Sequence, residues 1–168
     1  VPDSIPAISG EKIQSMLGLS YRQRAVEVLK GYLTDFSDEQ IKACVDGAYT
    51  EDKFGSPSIS ELHKLDDTTA FLELWHGPTC AFKDMALQIL PYLLTTSIKI
   101  NSLDKTIVIL VATSGDTGKA ALEGFADVPG TRIIVFFPDG GVSNIQRLQM
   151  ITQSGSNVYS CAVKGNFD

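Results

Sequence analysis

Histidine and cysteine are scarce in this sequence: His63 and His76 are its two histidines, and Cys44, Cys80 and Cys161 its three cysteines. Two histidines argue against a His-rich metal centre. An odd number of widely spaced cysteines resembles neither a disulfide framework nor a metal-binding cluster, so a reducing, cytoplasmic setting is expected. Basic charge is also short. Fourteen Lys and Arg against 20 Asp and Glu leave a net charge of −6, too acidic for the electropositive surface that nucleic acid or an anionic membrane demands. Neither is an expected partner. Long apolar runs are missing too: stretches such as residues 106–113 fall far short of the roughly 20 residues that span a bilayer. Residues 1–10 have neither the basic flank nor the continuous apolar core of a secretory signal. What remains, 43% apolar and 20% charged over 168 residues, suits about one globular domain.

There is no internal repeat, but the texture changes twice, which divides the chain into a helical region 1–60, a strand and helix over 61–101, and an alternating region 102–168. In the first, Ala25, Val26, Leu29, Tyr32 and Leu33 recur at helical spacing behind Ser20, a plausible cap. Ser37 with Gln40 three residues on reads as a capping box, followed by an apolar face of Ile41, Cys44, Val45 and Ala48. Residues 50–60, with Gly55, Ser56, Pro57 and Ser58, read as a loop. Residues 70–75 form a strand-length apolar run broken by Gly77-Pro78. Over 81–96 the pattern is helical, with Pro91 kinking or dividing it.

The third region is the clearest. Residues 106–113 and 131–137 are near-continuous β-branched and aromatic runs of the kind buried parallel strands require. Helices are expected over 117–126 and 143–153, and a third strand near 158–163. This βαβαβ order predicts an α/β fold with a parallel sheet and right-handed crossovers. Three such strands leave an exposed edge and a half-covered sheet, so the chain is expected to continue into further βα units.

Three segments could carry chemistry. The first is His76-Gly77-Pro78-Thr79-Cys80-Ala81-Phe82-Lys83-Asp84, after a strand and opening a helix. A lysine in a helix's first turn meets the positive end of the dipole, and Phe82, Met85 and Ala86 would desolvate it, which favours the neutral, nucleophilic amine. Such an amine can form a Schiff base with a carbonyl compound, pyridoxal phosphate included. The plainer alternative is a solvated surface lysine beside Asp84.

The second segment, Thr113-Ser114-Gly115-Asp116-Thr117-Gly118-Lys119, joins a strand's C-terminal end to a helix start, where α/β sheets bind ligands. Its hydroxyls, glycines and amides suit a carboxylate or phosphate. It is not a P-loop, because Thr113 stands where the first glycine is required and Ala120 where the metal-binding hydroxyl is, nor is it a G-x-G-x-x-G fingerprint. A structural glycine turn is the other reading. The third segment, Pro138-Asp139-Gly140-Gly141-Val142-Ser143, lies on the same edge but is also a stock turn with a stock N-cap. Asn144 and Gln146 beyond it could reach a polar substrate, though their spacing does not say so.

The run from Glu73 to Asp84 closely resembles the lysine motif of threonine synthases, HGPT followed by an apolar residue and AFKD. Ser114-Gly115-Asp116-Thr117-Gly118 resembles the family's SGDTG, Gly165-Asn166-Phe167-Asp168 its GNFDD, Val1-Pro2-Asp3-Ser4-Ile5-Pro6 its VPxxIP, and Leu19-Ser20-Tyr21 its LSY. The similarity runs the length of the chain, with Cys80 where leucine is usual and Trp75 where phenylalanine is.

The resemblance implies a pyridoxal-phosphate lyase of fold-type II, with a three-layer αβα, tryptophan synthase beta-like portion after the helical region, incomplete at its C-terminus. It would convert O-phospho-L-homoserine and water to L-threonine and phosphate by γ-elimination and β-addition of water. It further implies that Lys83 carries the cofactor and then moves protons at the substrate's α and β carbons, that Phe82 and Asp116 adjoin the cofactor, and that Thr113, Ser114, Gly115, Asp116 and Thr117 hold the substrate's anionic end. Related enzymes carry asparagine at the Asp116 position. In the family the cofactor's phosphate is held by a later loop beginning GNFG and its pyridine nitrogen by a later hydroxyl residue, so Gly165-Asn166-Phe167-Asp168 is not assigned to the phosphate, and the 168 residues alone are expected to be inactive. Other members of the cofactor class, a dehydratase or a cysteine synthase-like protein, are disfavoured by HGPT. A non-catalytic α/β binding domain is the remaining alternative.

Overall fold

The computed structural model describes residues 4–165, so the expectations for Val1–Asp3 and for residues 166–168 lie outside the described residues. The chain forms two compact units, one up to Glu73 and one from Leu74 onward.

The first unit contains α1 (Gly10–Ser15), α2 (Tyr21–Leu29), α3 (Asp38–Ala48), α4 (Glu51–Phe54) and an antiparallel hairpin of β1 (Glu61–Lys64) and β2 (Ala70–Glu73). Two helices start on complete capping boxes. Ser20 accepts from the Gln23 amide and Ser37 from that of Gln40, and each glutamine side chain accepts from its serine's own N–H, which satisfies two otherwise unpaired donors per helix. The α3 face is the expected one, Ile41, Cys44, Val45 and Ala48 all buried, and Tyr49, Phe54 and Ile59 extend its core.

Two features of this unit depart from the expectation. Residues 50–60 are not all loop: Glu51–Phe54 makes one helical turn, closed by Gly55 at φ 69°, because Phe54 is drawn into the core at 1% exposure. Glu61–Lys64 is a strand by pairing alone, with Leu62 opposite Leu72 and exposed His63 opposite Phe71. The connecting turn is shaped by Asp66, whose Oδ1 accepts from the Thr68 amide, the Thr68 hydroxyl and the Thr69 amide. These three donors hold the Asp66 carboxyl below its usual range.

The second unit runs α5 (Asp84–Leu87), α6 (Leu90–Ile100), β3 (Ile107–Ala112), α7 (Asp116–Phe125), β4 (Thr131–Pro138), α8 (Asn144–Ile151) and β5 (Val158–Val163). Pro91 divides the apolar segment as expected, falling in the first turn of α6, where its missing N–H has no partner to lose. The helix expected from residue 81 instead begins at Asp84 and lasts one turn. The three strands are parallel in the order β3-β4-β5, with Ile109 beside Ile133 and Ile133 beside Val158.

Both crossovers step the same way across the sheet, so right-handed connections lay α7 and α8 on one face. There Ala121, Leu122 and Phe125 of α7 and Met150 of α8 cover Ile133, Val135 and Phe137 of β4, with Leu87 and Leu94 packed alongside. The opposite face is bare among the described residues: Val108 is 52% and Leu110 66% exposed. The β3 run is therefore continuous in sequence but partly covered on one side, at Ile107, Ile109 and Val111, and exposed on the other. Asn157 ties the unit's far end together, its Nδ2 donating to the carbonyls of Phe125 and Thr131 and its Oδ1 accepting from the Asp127 amide.

Candidate active site

All of the chemistry-bearing segments belong to the second unit. After β2 the chain turns at His76–Cys80, where the Cys80 amide donates to the Gly77 carbonyl at 3.0 Å, and Cys80 itself takes φ 57°. Asp84 closes this loop. Its carboxylate, fully buried, accepts from the Thr79 amide through Oδ2 and from the Thr79 hydroxyl through Oδ1, each at 2.8 Å. Gly77 has to be glycine for the closure, since a Cβ there would stand 2.5 Å from Asp84 Oδ2.

Lys83 sits immediately before α5. It is half-buried, its Nζ lies 4.2 Å from the centroid of the Phe82 ring, and it pairs with no carboxylate among the described residues. Its sequence neighbour Asp84, the obvious counter-ion, is committed to Thr79. Lys83 is thus not paired with its neighbour, and part of the dipole argument is lost as well: α5 is only four residues long, and the polarisation of a single turn is small.

The second segment forms the β3–α7 loop. Thr113 was expected to touch a ligand, yet it is 4% exposed, and its Oγ1 accepts from the amides of Gly115 and Gly118 at 3.0 and 3.1 Å. It shapes the loop from beneath, because a hydroxyl with both lone pairs filled internally has little left to offer a ligand. Gly115 stands at φ 155° and ψ −104°, a conformation that side chains rarely adopt. Ser114, Asp116 and Thr117 are exposed, and the amides of Asp116 and Thr117, which open the ten-residue α7, donate to no acceptor among the described residues.

The third segment reaches the second through Gln146. Ser143 caps α8 with Gln146 as its box partner, and the same Gln146 donates from Nε2 to Asp116 Oδ1 at 2.9 Å. Pro138–Gly141 is the turn expected, the Gly141 amide donating to the Pro138 carbonyl. Asp116 and Gln146 are thus brought together, as are Lys83 and Phe82, while no hydrogen bond joins these two groups to each other. Thr79, Asp84 and Gln146 carry geometry that sequence reasoning did not assign. Asp84 had a signal, its place in the HGPT to AFKD motif; Gln146 was expected only to reach a polar substrate, and nothing in the sequence pointed it to Asp116, 30 residues away.

Residues 1–49 match the family described as threonine synthase N terminus. The whole chain aligns with threonine synthase of Pseudomonas aeruginosa at 37% identity, spanning 35% of that protein. The chain matches an N-terminal portion of the threonine synthase family. A crystal structure of PLP-bound threonine synthase from Brucella melitensis superposes on all of this chain and 36% of its own with a TM-score of 0.87 at 35% identity. Threonine synthase from yeast gives the same TM-score at 31% identity, over all of this chain and 35% of its own. The mixed helix-and-sheet fold, with its parallel three-stranded sheet, is that of the threonine synthases, and the chain spans about a third of the length of these relatives.

Proposed function

We propose that this chain supplies the lysine-bearing portion of a cytoplasmic threonine synthase, which converts O-phospho-L-homoserine and water to L-threonine and phosphate with pyridoxal phosphate carried on Lys83. One observation carries the reading: within the family's own motif, Lys83 is half-buried and pairs with no carboxylate among the described residues, while the adjacent carboxylate is held by Thr79. An amine committed to no carboxylate is available to a carbonyl cofactor.

When bound, the cofactor supplies an electron sink that acidifies the substrate's C–H bonds. The remaining work falls to the chain. Lys83, released on substrate binding, accepts the proton from the α carbon and returns protons along the carbon chain, a general-base and general-acid role for which one mobile amine suffices. Phe82 lies against that amine, its ring centroid 4.2 Å from Nζ. Ser114, Gly115, Asp116 and Thr117 receive the substrate's anionic end at the start of α7, where the unpartnered amides of Asp116 and Thr117 and the helix dipole favour negative charge. Thr113 fixes the shape of that loop, and Asp116, oriented by Gln146, would adjoin the cofactor's ring hydroxyl.

The test is to incubate the chain with pyridoxal phosphate, reduce with borohydride and map the modified peptide. A pyridoxyl group on Lys83 is expected; one on Lys99 or Lys119 in its place would overturn the assignment.

A further inference from the structure

We infer that Asp84 and Thr79 form a clamp that positions Lys83, so that the hydroxyl of Thr79, not merely the fold of the unit, decides how selectively the lysine reacts; this rests on the proposed role of Lys83. The clamp closes an eight-residue loop. Gly77 packs against the Asp84 carboxylate, the Thr79 amide and hydroxyl each donate to one of its oxygens, and Lys83 is the last residue before the closure.

Backbone hydrogen bonds hold the rest of this stretch. The Cys80 amide reaches Gly77, the Asp84 amide reaches Ala81, and the carbonyls of Phe82 and Lys83 accept from amides of α5, while Cys80 bears φ 57° without being glycine, a conformation that persists only where the surroundings enforce it. The clamp is the buried side-chain tie between this turn and the start of α5. A carboxylate wholly out of solvent needs its acceptors filled, and taking away one donor leaves a buried oxygen unpaired, a state that drives rearrangement. The backbone from Cys80 to Lys83 would then relax, and the amine would leave the Phe82 face for solvent. Neighbouring residues on a helix do not face one another, so Asp84 acts on Lys83 through the backbone and is a positioning residue, not a catalytic one.

Competitive labelling of the chain with two reagents separates position from fold, with exposed Lys99 as the internal standard. Acetic anhydride reports exposure of the amine. Pyridoxal phosphate with borohydride reports an amine held in place. In Thr79→Val, the Lys83-to-Lys99 ratio should rise with anhydride toward the solvent value and fall with pyridoxal phosphate by about tenfold, within the range that small misplacements cost. Thr79→Ser, which keeps the hydroxyl, should behave as wild type. Thr79→Val combined with Asp84→Asn should fall no further than the worse single variant, because the two residues form one unit. Thr79→Ala serves as a second variant with the same expectation if Thr79→Val fails to fold. Unchanged ratios with both reagents in Thr79→Val, or a loss in Thr79→Ser equal to that in Thr79→Val, would overturn the inference. If pyridoxal phosphate shows no preference for Lys83 in wild type while the anhydride ratio still shifts as described, the clamp stands and the proposed function fails.

Discussion

Gln146 Nε2 donates to Asp116 Oδ1 across 2.9 Å, joining the residue that opens α7 to the capping box that opens α8. One glutamine thus orients a proposed ligand-binding carboxylate and begins a helix. In the complete enzyme, Asp116→Ala and Ser114→Ala are expected to lower kcat/KM by about tenfold or more while shifting the unfolding midpoint little, since both side chains are exposed on a loop at the ligand-facing strand edge. Gly115→Ala should lower both kcat/KM and the unfolding midpoint. Its new Cβ would lie 2.4 Å from Gln146 Nε2, and the φ of 155° is poorly suited to alanine. Urea unfolding beside steady-state kinetics decides; a marked loss of stability with intact rates in Asp116→Ala would make the loop structural.

Lys83→Ala should abolish turnover in the complete enzyme and remove the visible absorbance of lysine-bound pyridoxal phosphate, with circular dichroism unchanged. The side chain is half-buried and makes no ion pair, so its truncation costs the fold little. Activity within a few-fold of wild type would refute the assignment.

Asn157→Ala should destabilise the second unit by about 1–3 kcal/mol, the usual cost of leaving buried polar groups unpaired. Its amide now serves the carbonyls of Phe125 and Thr131 and the Thr131 hydroxyl, at 8% exposure. Chemical denaturation of wild type and variant measures the difference. The same variant should weaken β5 pairing first, visible as faster amide exchange near Ile133, whose N–H donates to the Asn157 carbonyl.

Asp127 should make stability depend on acid. Its Oδ1 accepts from the Ser156 amide and then from the Ser156 hydroxyl, which together lower its carboxyl below the ordinary value. A carboxyl lowered in the folded state stabilises fully above the ordinary aspartate value of about 4 and loses that contribution as pH falls through the lower folded value. Asp127→Asn tolerates the φ of 56° found here but cannot ionise. Its urea midpoint should therefore vary less with pH in the acid range than that of wild type, and identical profiles would contradict the prediction.

Much of the fold was legible in the sequence because its signals are local. Ser20, Ser37 and Ser143 cap helices where the sequence marks them as caps, Pro91 breaks where its ring requires, and the β-branched runs of β3 and β4 are strands with a turn and a helix between them. The lysine motif and the SGDTG segment named a family for the same reason, since each is a short contiguous string. Glu61–Lys64 was not legible: Leu62, His63 and Lys64 have no β-branched residue among them, and only their partners at 70–72 make them a strand. Nor could the run of β3 reveal that Val108 and Leu110 face outward, because a continuous apolar string has no period from which to read a side. The tertiary structure alone turned the Asp84 carboxylate from Lys83 to Thr79, put Thr113 beneath its loop and brought Gln146 to Asp116. Each of these depends on where a folded backbone aims a side chain, and composition and spacing carry no record of that direction.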